Sequence, residues 1–261
     1  MLTLYHSEPN TFSLKALIAL NEKNIEFKSV YQDWTRFEQF SSGPKANLES
    51  TNNPENEGPL LDHDGKVISE SFFMLEYLED AFPKNPPKLL PGDAEGNWRV
   101  RMWGRLLGES TAPAITTLGC HKYLAPVLKE RRLNSKDPIL EKMATQERKT
   151  AWAQALDDSY TEEVLEDSRR KLKFAVSRLE EQLQKTPWLA GANYSISDIE
   201  AFSLLMSAPK LVPDAFQGAP KLTALMARVK ERPAVKKALA MSKTGKPDEA
   251  FAPGPEHARW G

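Results

Sequence analysis

The chain has 261 residues, enough for two modest domains or one large one. Its 35 basic and 36 acidic side chains leave a formal charge of −1, so it has no field to gather nucleic acid or an anionic membrane. One cysteine, Cys120, excludes an internal disulfide framework and a Cys-x-x-Cys redox centre and fits a reducing compartment.

No apolar run approaches the ~20 residues that span a bilayer, and Met-Leu-Thr-Leu-Tyr-His lacks the basic-then-apolar order of a signal peptide. A cytoplasmic protein is expected. Leu2 to Tyr5 alternates as a short buried strand, and His6 to Phe12 is a polar loop. From Ser13 the chain is strongly helix-forming, which sets a hydroxyl at a helix amino end directly after the first strand. Asn10 and Thr11 compete with it for that place, and Tyr5 fits the core better. A second strand is expected around Phe27 to Tyr31, so the segment reads as a β-α-β unit. Residues 32 to 57 are polar, with Gly43-Pro44 and Asn52-Asn53-Pro54, and read as a long connection.

Leu60-Leu61 begins a strand, Asp64-Gly65 accepts the positive φ angles of a tight turn, and Val67-Ile68 returns as its partner. The next apolar positions step by three and four, so a helix runs from about Ser71 and stops before Pro83. Its free backbone N–H groups and the Ser71 hydroxyl suit a carboxylate, while Glu70 suits an ammonium. A plain cap and a solvated charge explain the same two residues equally well. Gly58-Pro59 before the hairpin adds a strand opening that cannot donate to the ladder, where a cis bond would turn backbone outward to an extended ligand.

Lys84 to Gly96, rich in proline and glycine, is the clearest boundary. The expected units are residues 1–84, a linker over 85–96, an all-helical unit over 97–242 and a weakly ordered tail over 243–261. In the helical part, Trp98, Met102, Trp103, Leu106 and Leu107 form one apolar stripe, and Val164 to Leu183 carries another. Residues 131 to 161 are a charged insert around Trp152 and Tyr160. Ser195 and Asp198 read as a capping box, with Tyr194 and Ile199 positioned for a hydrophobic staple.

The run Gly58-Pro59, hairpin, Glu70-Ser71 and Tyr77-Leu-Glu-Asp-Ala-Phe-Pro83, together with Trp188-Leu-Ala-Gly-Ala-Asn-Tyr-Ser-Ile-Ser-Asp198, resembles the glutathione S-transferase family over about residues 1 to 242. The resemblance implies a thioredoxin-like α/β N-terminal domain, an all-α C-terminal domain, glutathione as co-substrate with no metal, and a homodimer. It implies that Gly58 and Pro59 pair with the cysteinyl part of glutathione, that Glu70 and Ser71 take its γ-glutamyl end, and that Gln39 or Lys45 meets its glycine carboxylate. It makes Ser13 the expected catalytic residue, donating to the glutathione sulfur. Lowering a thiol pKa near 8.5 by about two units requires ~2.7 kcal/mol of preferential thiolate stabilisation, the size of one charge-assisted hydrogen bond plus a helix amino end. Gly58 departs from the bulky apolar residue most members carry before the proline, which should loosen that contact.

Asn10-Thr-Phe-Ser-Leu-Lys, Arg36-Phe-Glu-Gln39, His63 to Ser71, Thr117-Leu-Gly119 and Ser177 to Leu183 are similar to bacterial glutathione-dependent β-etherases. That similarity implies thiolate attack on the carbon bearing an aryloxy group beside a ketone, with loss of a phenolate. Phe12, Trp103, Leu107, His121 and Trp152 are the expected lining of an aromatic substrate pocket, although His121 beside Cys120 also suits a satisfied interior pair. General conjugation of small electrophiles and a non-catalytic binding or dimerisation module are the alternatives. A thiol reductase would want a cysteine where Ser13 stands.

Overall fold

The computed structural model describes residues 1–44, 53 and 57–254. Strand β1 (Leu2–His6) leads into α1 (Thr11–Glu22) and returns as β2 (Lys28–Tyr31), one residue shorter than its sequence suggests. After the short α2 (Gln39–Ser42) come β3 (Leu60–His63), β4 (Lys66–Ile68) and α3 (Ser71–Ala81). The sheet order is β2-β1-β3-β4, with β1 parallel to β2 and antiparallel to β3. The β3–β4 turn is built on Asp64 and Gly65 at φ 52° and 84°, as a two-residue hairpin with two positive φ angles requires.

This register brings three chain features to one end of the sheet. Tyr5 pairs with Leu60 and Leu61 with Ile68, so the end of β1, the start of β3 and the end of β4 lie together. The amino ends of α1 and α3 and the Gly58-Pro59 peptide, which is cis, follow from those strand ends.

The helical part begins with a long rod. Helices α4 (Ala94–Leu106), α5 (Ala112–Gly119) and α6 (Ala125–Glu130) run on through π-helical turns at Leu107–Thr111 and Cys120–Leu124. Then come α7 (Gln146–Asp157), α8 (Glu162–Leu183), α9 (Ile196–Leu205), α10 (Ala208–Leu211), α11 (Pro213–Phe216), α12 (Pro220–Lys230) and α13 (Pro233–Leu239). The capping box at α9 is formed: Asp198 accepts from the Ser195 backbone at 2.9 Å and from Leu189 N at 3.0 Å. Tyr194 meets Trp188 edge-on at 5.1 Å and lies under the Arg232 guanidinium at 3.8 Å.

Helix α1 is the shared element. All its residues but Phe12 are buried, which its mostly apolar sequence allows only if helices cover the side turned from the sheet. That cover includes α9 and α13. Lys15 pairs with Glu200 at 2.6 Å, both almost fully buried, and Arg232 grips Glu22 at 2.5 and 2.8 Å.

Two expectations fail here. The apolar stripe on α4 is split, because Trp98 and Met102 face outward while Trp103 is core. The tail is not weakly ordered up to residue 254: Phe251 and Ala252 are buried, because buried polar groups elsewhere bind its backbone. The rest of the tail, including Trp260, lies outside the described residues.

Candidate active site

The cavity at this sheet end has a volume of about 270 Å³. Ser7, Glu8, Asn10 and Thr11 form its floor, Tyr31 and Trp34 one side, Tyr123, Leu124 and Val127 of the helical rod another, and the segment around Phe251 closes it. The π-helical turn at Cys120–Leu124 supplies Tyr123 and Leu124, so the break in helical register shapes the wall.

Thr11 opens α1 after Asn10, whose Oδ1 accepts the Thr11 amide at 3.0 Å. Its φ is +40°, a left-handed value that a β-branched residue adopts only under strain, and such strain collects at functional sites. Thr11 lines the cavity, and its hydroxyl makes no hydrogen bond among the described residues. Ser13 is placed differently. It is 1% exposed, and its Oγ accepts the Ser7 amide at 3.1 Å with Ser7 Oγ at 3.5 Å. Being two residues further into the helix turns it under the loop, outside the cavity lining.

Beneath the floor, His6 is buried between the Ser7 carbonyl at 2.7 Å and Ser29 Oγ at 2.8 Å, and burial holds its pKa below 6.5. Tyr31 donates to Glu8 at 2.9 Å; burial and that carboxylate raise the phenol pKa, so it stays protonated.

Gly58 and Pro59 are buried beside β1. A Cβ on Gly58 would come within 2.9 Å of the Tyr5 carbonyl oxygen, so the glycine is what lets this peptide approach β1. Glu70, at φ 58°, is exposed, and Ser71 starts α3 partly exposed, with no bond to the hydroxyl among the described residues. Gln39, expected at the glycine end of glutathione, is fully buried in α2, so its amide does not reach solvent. Lys45 lies outside the described residues.

None of the five residues expected in the aromatic pocket lines this cavity. Trp103 and Leu107 are core, the former donating to the Leu189 carbonyl at 3.1 Å. Trp152 is fully buried, 4.8 Å from the Phe37 ring, with its Nε1 donating to Glu57 at 2.9 Å. His121 sits at the surface on Asp158 at 2.7 Å rather than in an interior pair, and Phe12 packs under the Lys15 ammonium at 5.1 Å. Cys120 is buried, which pushes its thiol up to about 12 and leaves it unreactive. The aromatic lining is instead Tyr31, Trp34, Tyr123 and Phe251. These come from the end of β2, a 3-10 turn, a π turn and a tail, where no period marks them in sequence.

The family models for the glutathione S-transferase N-terminal and C-terminal domains match residues 4–86 and 141–233. Protein LigF of Sphingobium sp. is 32% identical over 252 residues, covering 93% of this chain and 94% of that protein. Glutathione S-transferase F14 of Arabidopsis thaliana is 25% identical over 87% of this chain and 78% of its own. Among solved structures, the beta-etherase LigF from Sphingobium sp. superposes with a TM-score of 0.82 at 31% identity, covering 92% of this chain and 99% of that one. Glutathione transferase F7 from Populus trichocarpa, 22% identical, shares the fold with a TM-score of 0.67 over 92% and 98% of the two chains. With an α/β unit whose first helix opens at a cavity and a helical unit that covers it, the chain belongs to the glutathione S-transferase family.

Proposed function

We propose that the protein uses glutathione to cleave β-aryl ethers of lignin-derived aromatic ketones. The observation that carries this reading is the near full-length likeness to LigF, 32% identical and solved as a beta-etherase. The cavity supports it chemically, because Tyr31, Trp34, Tyr123 and Phe251 offer faces and edges to aryl rings beside the amino end of α1.

In this reading glutathione lies along the sheet end, its γ-glutamyl group at Glu70 and Ser71 and its cysteinyl backbone beside Pro59. Thr11, rather than Ser13, donates its hydroxyl to the sulfur, since Thr11 lines the cavity and its hydroxyl has no hydrogen-bond partner among the described residues. The thiolate attacks the carbon that bears the aryloxy group, next to the ketone. A C–S bond forms as the C–O bond breaks, its electron pair leaves as phenolate, and the phenolate takes a proton from solvent. A phenolate leaves readily, so positioning and thiolate stabilisation do most of the work, and no strong general acid is required. The reading places the enzyme in the cytoplasm as a homodimer, supported by the lone buried cysteine and by an exposed apolar face on α3 and α4.

Incubation with glutathione and a β-aryl ether ketone carrying a fluorescent phenol tests this. Phenol release that requires glutathione and falls with Thr11→Ala is expected. Conjugation of a small electrophile without phenol release would move the protein to general transferase chemistry. Lack of glutathione binding would leave a non-catalytic module.

A further inference from the structure

The segment after α13 turns back across the sheet end and is held there by polar groups from two other parts of the chain, the loop before α1 and helix α7. Glu8 is 6% exposed. Its carboxylate accepts from Ser242 Oγ at 2.6 Å, Lys243 N at 2.7 Å and Thr244 N and Oγ1 at 3.1 Å, besides Tyr31. Asn10 Nδ2 donates to the Ala250 carbonyl at 2.7 Å. Arg148, itself paired with Glu57, donates to the carbonyls of Gly254 at 2.8 Å and Pro253 at 3.3 Å. Between these ties the Phe251 ring is seated in a notch at Gly119, where a Cβ would overlap it. It lies parallel to Tyr123, with 6.0 Å between centroids and 7° between planes.

The geometry points to residues 242–254 as the specificity-determining wall of the cavity, presenting Phe251 with Tyr123 to one aryl ring of the substrate, and to Glu8 as the positioning residue that seats this wall. The inference rests on the proposed reading for its ligand class, a two-ring aryl ether ketone. A buried carboxylate that accepts four hydrogen bonds from one short segment fixes that segment more firmly than apolar contact alone, because loosening it would strand the charge. The Gly119 notch then sets how far Phe251 stands from the opposite wall. Any side chain at 119 must push the ring into the cavity or lift it away.

Calorimetric titration with a two-ring β-aryl ether ketone and, separately, with glutathione tests the wall. Phe251→Ala removes the ring face, and Gly119→Ala displaces it from outside the cavity. Each is expected to weaken ketone affinity about tenfold relative to glutathione affinity, the scale of one lost aromatic contact with its buried area. Glu8→Gln is expected to speed tryptic cleavage after Lys243 and to raise the ketone KM while kcat stays within about twofold, whereas a merely structural role would lower the melting temperature and leave the ketone KM unmoved. Glu8→Asp should recover part of the KM. Unchanged relative ketone affinity in both Phe251→Ala and Gly119→Ala overturns the inference, as does a wild-type protein that binds no ketone. A wild type that binds the ketone in a Phe251-dependent way but releases no phenol refutes the proposed reaction and leaves the wall in place.

Discussion

Two hydroxyls sit two residues apart at the start of α1, and their surroundings assign them different work. Thr11 faces the cavity from a strained backbone, whereas Ser13 accepts the Ser7 amide under the loop. Thr11→Ala is therefore expected to lower kcat/KM for the glutathione reaction by about ten- to a hundredfold, the worth of one charge-assisted hydrogen bond, and to raise the pKa of bound glutathione read from thiolate absorbance. Ser13→Ala should leave that pKa in place and cost about 1 kcal/mol of stability in urea unfolding, since the Ser7 amide loses its partner. Thr11→Gly should be more stable than Thr11→Ala by about 1 kcal/mol, because glycine adopts φ +40° without strain. His6 gives a pH signature. Burial keeps its folded pKa below 6.5, so its contribution to stability is present above the unfolded value and is lost as pH falls through the folded one. The melting temperature should fall more steeply below pH 6.5 in the wild type than in His6→Asn.

Local sequence recorded the elements faithfully wherever one short stretch carried the whole signal. The Asp64-Gly65 turn, the helix opening at Ser71 and stopping before Pro83, and the Ser195–Asp198 box are all formed. The cavity lining was not legible in this way. Its aromatic residues stand at 31, 34, 123 and 251 and meet only because the sheet register, a π turn and a buried carboxylate bring them together. The expected pocket aromatics fail for the same reason: Trp103 of the α4 stripe and Trp152 of the charged insert are covered by core, not by ligand, and periodicity reports only that a helix face is covered. Glu8 and Lys15 look like solvated charges in sequence, yet each has a distant partner. At the α1–α9 contact, Lys15→Met should destabilise the protein by about 3–5 kcal/mol in urea unfolding, because it strands the Glu200 carboxylate in the core. The double variant Lys15→Met with Glu200→Leu should recover most of that loss, since a buried pair replaced by apolar groups costs little.

At the scale of the whole molecule, the question is what covers the outer face of α3 and α4. Phe73 and Trp98 are 62% and 61% exposed, and Met102, one turn beyond Trp98, is 38% exposed. The two helices are set side by side by the Arg101–Glu76 pair at 2.8 Å and by the Phe72 ring, which sits where a Cβ on Gly104 would be. Large apolar side chains grouped with charges around them are the composition of an interface that buries an aromatic core inside a polar rim. A homodimer that sets the sheet unit of one protomer against the helical unit of its partner would cover all three residues at once. The expected result of sedimentation velocity is a dimer for the wild type and a monomer for Phe73→Glu combined with Trp98→Glu, with the far-ultraviolet spectrum unchanged because both side chains are already outside the fold. Two negative charges at the centre of such a face, four in the assembled pair, would have to be desolvated without partners, a cost of several kcal/mol that a modest interface cannot meet. A wild type that sediments as a monomer across micromolar concentrations would show that this face meets solvent, and the cavity, which one chain already closes with its own residues 242–254, would then work without a partner.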